Sequence, residues 1–196
     1  RFRPACPEEK ASLRRTLNLP DGILILYAAE FSGRKNHKPL LKAMRQMAAR
    51  RPEVTLLLAG DGKRLEASRR LAHRLGVAGR VRFLGYVPDT APLLRACDGA
   101  LSVSLSEGMP AGVMEAMACG LPLAASRIKG HTDLLSGRPA FLFDPRKPAG
   151  IADGIAALAG EARTPRRGQS GVRLPDKEEA AELFLRRLRE TVPSGL

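Results

Sequence analysis

The chain alternates between short runs that are mostly apolar and longer segments in which apolar residues recur every three or four positions. Nearly continuous apolar runs are typical of strands buried on both faces of a parallel sheet, and the intervening segments are typical of helices that cover it. The predicted strands are Ile23–Ala29, Val54–Ala59, Val81–Tyr86, Gly99–Ser104, Leu121–Ser126 and Ala140–Phe143. This alternation predicts a Rossmann-like α/β domain: a doubly wound parallel sheet of about six strands with helices on both faces.

Helical periodicity fills the gaps between these strands. The predicted helices are His37–Arg50, Lys63–Leu75, Ala91–Ala96 and Ala111–Cys119. Gly76 and Gly120 follow two of them, at the position where a residue in the left-handed conformation commonly ends a helix.

The composition changes near residue 160, which predicts three parts. Residues 1–159 form the Rossmann-like domain. Residues 160–175, "GEARTPRRGQSGVRLP", are predicted to be a basic, flexible loop. Residues 176–196 predict an amphipathic helix that packs on the domain or on an N-terminal domain absent from this chain.

The net charge of the chain limits the classes of ligand that it could bind but does not identify one. The 196 residues include 33 Lys and Arg against 20 Asp and Glu, a formal charge of +13, which favours nucleotides, nucleic acid or an anionic membrane. Aromatic residues make up only 4%, which argues against nucleic acid because few side chains can stack on bases. The three Cys and three His residues are scattered, so we expect neither a disulfide framework nor a metal site. The longest apolar runs are shorter than a membrane span, and we expect a cytoplasmic protein.

The stretch "SEGMPAGVMEAMACGLPLAAS" carries the candidate chemistry. Glu115 is its only charged residue from Gly108 to Ala125, and the residues three and four positions away on the helix are small, so its carboxylate faces a crevice. Glu107 lies eight residues earlier, in the loop after a strand. This loop is at the carboxyl end of a parallel sheet, where α/β proteins bind ligands.

A nucleotide suits both glutamates. The amides at the helix N-terminus suit a diphosphate, and a carboxylate one turn later accepts hydrogen bonds from a ribose diol. The alternative is that Glu115 pairs with a basic residue and only stabilises the fold, and that Glu107 is a solvated loop residue.

These residues resemble the retaining, nucleotide-sugar-dependent glycosyltransferases of family four, which have the two-domain GT-B fold. The stretch resembles their E-x7-E signature, and "AGDGKRLE" and "FLGYVPD" resemble two of their loops. The likeness extends from about Phe2 to Pro145. "RKNH", "EAMACGLP" and "ASRIKGHTDLL" are most similar to bacterial enzymes of exopolysaccharide or capsule synthesis.

The resemblance implies that this chain is the C-terminal, donor-binding half of such an enzyme and inactive alone. It implies a UDP-sugar donor, or a GDP-sugar, no obligatory metal, and a glycan or lipid-linked acceptor that an absent N-terminal domain binds. It also allows peripheral contact with the inner face of the plasma membrane through basic residues.

The resemblance also implies roles for individual residues. Lys35 and Glu107 would act at the reacting centre, Lys35 on the phosphates and Glu107 on hydroxyls of the transferred sugar. Glu115 would hold the ribose. The remaining expected contacts are with the backbone of Gly108, Met109, Pro110 and Ala111, with Arg34 at the phosphates, and with Tyr86 and Val87 at the base. Pro110 has no N–H and only shapes the turn.

One departure from the family is that Glu30 stands where these enzymes usually have an arginine, so phosphate neutralisation depends on Lys35, helped by Arg34.

Other motifs are weaker: "GDGKRL" has Leu65 in place of the third glycine of a dinucleotide fingerprint. His131 is expected either at the donor phosphates or, more simply, in a surface loop. The rival hypotheses are a non-enzymatic basic module that binds nucleic acid or an anionic membrane, and an epimerase on the same architecture.

Overall fold

The computed structural model describes residues 1–162. The strands are β1 (Ile23–Ala28), β2 (Val54–Ala59), β3 (Val81–Gly85), β4 (Gly99–Ser102), β5 (Leu123–Ser126) and β6 (Phe141–Phe143). The helices are α1 (Pro7–Thr16), α2 (His37–Arg50), α3 (Leu65–Arg74), α4 (Ala91–Ala96), α5 (Ala111–Ala118), α6 (Lys129–Leu135) and α7 (Pro148–Glu161), with a short 3-10 helix at Ala78–Arg80.

The six strands form one sheet in the order β3-β2-β1-β4-β5-β6. Every pair of neighbouring strands is parallel. The chain winds outward from β1 to β3 and then returns to add β4 on the other side of β1. The predicted Rossmann-like α/β fold is confirmed, and the order reverses between β1 and β4, which is where such sheets bind ligands.

Alternation along the strands separates two cores. In β1, Ile23, Ile25 and Tyr27 point to one face, where they pack with residues of α2 and α7. Leu24 and Leu26 point to the other face and pack with residues of α4 and α5. Because both faces are covered, β1 and β2 contain no charged residue and are apolar at nearly every position, as the sequence predicts.

Helix α1 is held by charge and has no buried residues of its own. Asp98, which precedes β4, accepts hydrogen bonds from Lys10 Nζ and Arg14 Nη2 of α1, each at 2.6 Å. Its Oδ2 also accepts the amide of Leu24 at 2.7 Å. One carboxylate therefore ties α1 to the start of the sheet. Among the described residues, no helix combines the length and the apolar character that crossing a membrane requires.

The element boundaries depart from the sequence prediction at several places. Helix α3 begins at Leu65 rather than Lys63, and three helices, α1, α6 and α7, were not predicted. Helix α7 continues through Gly160 to Glu161, so the domain extends past the predicted boundary at residue 159. The rest of the predicted loop at 160–175 and the predicted helix at 176–196 lie outside the described residues.

Candidate functional site

A cavity of about 620 Å³ opens at the carboxyl ends of the central strands. This volume is within the range of small-molecule sites in proteins. Its walls come from the ends of β1, β2 and β4 and from the loops that follow the first four strands. The predicted site residues that line it are Arg34, Lys35, Tyr86, Val87, Glu107, Met109, Pro110, Ala111 and Glu115. The fold thus gathers side chains that lie up to 81 positions apart in the sequence (115 − 34).

One side of the cavity carries a charged cluster formed by Arg34, Lys35 and Glu107. Lys35 Nζ donates to Glu107 Oε1 at 2.5 Å, and Arg34 Nη1 donates to Glu107 Oε2 at 3.1 Å. The side chain of Glu107 is only 8% exposed, that of Lys35 18% and that of Arg34 49%. Glu107 is therefore a paired carboxylate with a mostly buried side chain, and the alternative of a merely solvated loop residue does not describe it.

The surroundings of Glu107 keep it ionised. Burial opposes the charged form, but hydrogen bonds from Lys35 and Ser104 and the charges of Lys35 and Arg34 outweigh it and lower the pKa of Glu107. An ammonium group has three protons, so Lys35 retains two donors for another anion after it has bound Glu107.

Buried aromatic rings hold the backbone near Lys35. The hydroxyl of Tyr27, at the end of β1, donates to the carbonyl oxygen of Lys35 at 2.8 Å. His37 begins α2 and stacks on Phe31 with ring centroids 4.0 Å apart. Burial, assisted by the charge of Lys35, lowers the pKa of His37 to about 4, so this ring is neutral at physiological pH.

On the other side of the cavity, Glu115 contacts a neutral partner. Thr90, which precedes α4, donates its hydroxyl proton to Glu115 Oε2 at 2.8 Å. Among residues 1–162, Glu115 forms no ion pair, and its carboxylate lines the cavity. The alternative that Glu115 pairs with a basic residue is therefore not what the described structure contains. Thr90 is a site residue that the sequence analysis missed, although it directly follows the quoted loop "FLGYVPD".

The start of α5 differs from the expectation in detail. Pro110 caps α5 and precedes its first turn, and its carbonyl oxygen accepts the amides of Val113 and Met114. The amide of Ala111 already donates to Met109 O at 2.9 Å, so the expectation that it is free for a ligand is wrong. The amide of Gly112, which also lines the cavity, has no partner among the described residues.

The remaining predicted residues occupy the rim or adjoin it. Tyr86 is 75% exposed at the mouth of the cavity. Met109 lines the cavity and is partly exposed, whereas Gly108 lies in the same loop but does not line it. Glu30, the departure from the family pattern, also lines the cavity.

The loop after β2 also contributes, through backbone that approaches closely. Gly60 has φ +147°, and a Cβ atom there would lie 2.0 Å from Ala29 O, so only glycine fits. The next residue, Asp61, lines the cavity. Within the part of the chain that the structure describes, no group of three or more His, Cys, Asp or Glu residues is arranged to hold a metal ion.

His131 is in neither of its expected places. It is fully buried in α6, between the ends of β4 and β5, and does not line the cavity. The expectation of a surface loop is wrong because the loop after β5 turns back into a helix at Lys129.

Known proteins are similar to this chain in sequence. The sequence profile of the family described as "Glycosyl transferases group 1" matches residues 22–161, beyond Pro145, where the expected likeness ends. The glycosyltransferase EpsD of Bacillus subtilis is 31% identical over 160 residues, which cover 81% of this chain and 42% of EpsD. The GDP-mannose-dependent monoacylated alpha-(1-6)-phosphatidylinositol monomannoside mannosyltransferase of Corynebacterium glutamicum is 35% identical over 149 residues, which cover 69% of this chain and 38% of that protein. The chain spans less than half the length of these relatives.

A solved structure agrees with these sequence matches. Anabaena HepE in complex with UDP-glucose superposes with a TM-score of 0.71 at 27% identity, over 82% of this chain and 48% of HepE. The profile match covers more than half of the chain, and the sheet is that of the GT-B enzymes. The predicted family is thus confirmed: the chain belongs to the group 1 glycosyltransferases of the GT-B fold.

Proposed function

We propose that this chain is the donor-binding half of a retaining glycosyltransferase and that its cavity binds a nucleoside diphosphate sugar, preferably a UDP-sugar. One observation carries the proposal: a single cavity presents Lys35 and Glu107 on one side and Glu115 on the other, with Tyr86 at its rim. A nucleotide sugar has groups that match these side chains, namely the sugar hydroxyls, the diphosphate, the ribose and the base.

Each group of the proposed donor has a partner among the residues that line the cavity. Glu115 accepts hydrogen bonds from the ribose hydroxyls, and Tyr86 and Val87 contact the base. Lys35 uses its two remaining protons on the diphosphate, and the amide of Gly112 at the start of α5 adds a further donor. Glu107 binds hydroxyls of the transferred sugar.

The same residues suit the chemistry of transfer. As the bond between the sugar and the diphosphate breaks, negative charge grows on the leaving phosphate oxygen. The ammonium group of Lys35 and the N-terminus of α5 stabilise this charge without rearrangement, because both are already fixed. The transferred sugar keeps its anomeric configuration in the proposed reaction.

The donor base and the acceptor are proposed from relatives. HepE was crystallised with UDP-glucose, which favours uridine, while the Corynebacterium relative is named for GDP-mannose, which keeps GDP-sugars as the alternative. The resemblance of "RKNH", "EAMACGLP" and "ASRIKGHTDLL" to bacterial enzymes of exopolysaccharide or capsule synthesis supports that role, with a glycan or lipid-linked acceptor. Since the chain spans less than half of its relatives, we propose that an N-terminal domain binds the acceptor and that the isolated chain transfers little or no sugar.

A cytoplasmic position at the inner face of the plasma membrane suits a lipid-linked acceptor. Helix α2 supports this part of the proposal, since its exposed face carries Lys38, Lys42, Arg45 and Arg50 and the helix contains no acidic residue. Such a face attracts anionic lipid headgroups.

Calorimetric titration of the chain with UDP, GDP, UDP-glucose and GDP-mannose tests the proposal. We expect UDP and UDP-glucose to bind wild-type protein, Glu115→Ala to weaken both, and the control Glu66→Ala, on the exposed surface of α3, to bind normally. No binding of any nucleotide to folded wild-type protein would contradict the proposal. Strong, salt-dependent binding of DNA without a nucleotide response would favour the non-enzymatic rival. Conversion of the sugar without any acceptor would favour an epimerase.

A further inference from the structure

Three buried polar side chains join the ends of β4 and β5 to α6, directly behind the cavity. Ser102 ends β4 and lines the cavity, Ser126 ends β5, and His131 lies between them on α6. All three residues are buried. His131 Nδ1 is 2.9 Å from Ser126 O and Nε2 is 3.1 Å from Ser102 Oγ. Ser126 Oγ completes the ring by donating to Ser102 O at 3.3 Å.

The partners fix the tautomer of His131. A carbonyl oxygen only accepts, so Nδ1 carries the proton and donates it to Ser126 O. Nε2 is then the acceptor, and the hydroxyl of Ser102 donates to it. Burial and the charge of Lys35 outweigh the opposing effects of Ser126 and Glu107 and lower the pKa of His131. The ring is therefore a neutral link and not a cation that pairs with a carboxylate.

The residue before His131 touches the backbone of Glu107. A Cβ atom on Gly130 would lie 2.2 Å from Glu107 O and 3.2 Å from Glu107 Cβ. The first distance is far inside a van der Waals contact, and the obstructing atom belongs to the backbone, so any larger residue forces α6 and the Glu107 loop apart. Gly130 therefore sets the closest approach of α6 to Glu107.

We propose that Gly130 and His131 are positioning residues for Glu107: His131 fixes the start of α6 against β4 and β5, and Gly130 lets that start support the backbone of Glu107. The inference deepens the proposed donor function, because the carboxylate that they position is the one that meets the transferred sugar. Lys35 and Arg34 hold the tip of this side chain, and α6 holds its base. Neither Gly130 nor His131 lines the cavity, so both act through Glu107.

The test compares two ligands that differ only at the sugar. In Gly130→Ala, displacement of Glu107 should raise the ratio of the UDP-glucose Kd to the UDP Kd by about tenfold, with the UDP Kd changed less than about twofold. Gly79→Ala is the matched control, since a Cβ atom at Gly79 meets nothing within 4 Å. A folded Gly130→Ala variant with an unchanged ratio would overturn the inference, as would an equal loss of both ligands.

Variants of His131 separate its two hydrogen bonds and supply a second test. Asn retains a donor at the place of Nδ1, and Gln retains an acceptor near the place of Nε2, whereas Leu retains neither. We expect His131→Leu to change the Kd ratio most and His131→Asn or His131→Gln to restore part of it. If all three variants fold and keep the wild-type ratio, His131 has no positioning role.

A readout without ligand keeps this inference separate from the proposed function. The ¹³C resonance of the Glu107 carboxyl group, assigned through Glu107→Gln, should titrate below the ordinary range of glutamate in wild-type protein. Gly130→Ala should move this titration upward, because a displaced carboxylate loses hydrogen bonds. If UDP and UDP-glucose fail to bind wild-type protein, the proposed function fails, and this titration still decides whether Gly130 positions Glu107. An unmoved titration midpoint would overturn the inference.

Discussion

The two carboxylates of the cavity are held in opposite ways. Glu107 is paired with Lys35 at 2.5 Å and Arg34 at 3.1 Å, and its side chain is 8% exposed. Glu115 has a threonine hydroxyl as its polar partner and no ion pair among the described residues. The paired side is preorganised by charge, whereas the other side leaves a carboxylate able to accept hydrogen bonds from a neutral diol. Two residues of the same type in one motif therefore need not have the same role.

The largest effect is expected from Lys35→Ala. It leaves Glu107 without its main partner and removes the cation proposed for the diphosphate, so UDP affinity should fall about 100-fold, equivalent to about 3 kcal/mol. The unfolding free energy should also fall by about 2 kcal/mol, because breaking a partly buried pair strands a charge. Calorimetry and urea unfolding measure the two effects. Lys38→Ala, in the exposed part of α2, is the control, and equal behaviour of the two variants would refute the paired role.

Glu115→Ala should affect binding but hardly affect folding. Loss of the hydrogen bonds to ribose should weaken UDP about 30-fold, which is about 2 kcal/mol. Because Glu115 has no ionic partner among residues 1–162, the unfolding free energy should change by less than about 1 kcal/mol. Thr90→Val is the companion variant, and we expect it to weaken UDP less than Glu115→Ala. A large loss of stability in Glu115→Ala would instead make Glu115 a structural residue.

Acid should destabilise the fold because it protonates the buried ring of His37. His37 is neutral in the fold with a pKa of about 4, whereas the unfolded chain takes up a proton near pH 6.5. The stabilisation that the neutral, buried ring gives to the fold is complete above pH 6.5. It decreases by about 3 kcal/mol as the pH falls toward 4. Urea unfolding from pH 7 to pH 4 should show this loss, and His37→Phe should flatten it.

Protonation of Glu107 should lower the unfolding free energy further at lower pH. Its pKa is lowered in the fold, so the stabilisation from its pairs is complete above the unfolded value near 4.5 and is lost below it. Glu107→Gln should therefore reduce the pH dependence below pH 4.5. An unchanged pH dependence below pH 4.5 in Glu107→Gln would contradict the paired state of Glu107.

The smallest effect is expected from Arg34→Ala. This side chain is 49% exposed, and exposed ion pairs contribute about 0.5 kcal/mol. UDP affinity should fall about threefold at low salt and less at 0.5 M salt, because exposed charges are screened. An effect as large as that of Lys35→Ala, or one that salt does not reduce, would show that Arg34 shares the buried role.

Sequence patterns predicted the elements that have local signals. All six strands were predicted from their apolar residues, and β1 and β2, which are almost entirely buried, contain no charged residue. Gly76 and Gly120 end α3 and α5 with φ values of +71° and +67°, as helix-ending glycines. Both candidate glutamates face one cavity, since the E-x7-E spacing carries the chain from the end of a strand into the second turn of a helix.

Two of the helices that were missed, α1 and α7, carry a start signal that the prediction did not use, because each begins with a proline. Helix α1 has no buried residues, and its anchor, Asp98, is 84 to 88 positions away from Arg14 and Lys10. Helix α7 contains Gly150, Gly154 and Gly160, which lower helix propensity. Packing requires at least one of them, because a Cβ atom on Gly154 would lie 2.9 Å from the ring of Phe143.

By itself the sequence determined the α/β alternation, the apolar strands, the family likeness and the residue types available for a nucleotide. These depend on local periodicity and on spacing within one segment. Only the tertiary structure decided that Lys35 and Arg34 bind Glu107, that Thr90 reaches Glu115, and that Gly130 and His131 lie behind the Glu107 loop. Each of these contacts joins residues from different loops or elements, so its geometry depends on how the strands are ordered in the sheet, which no local pattern encodes.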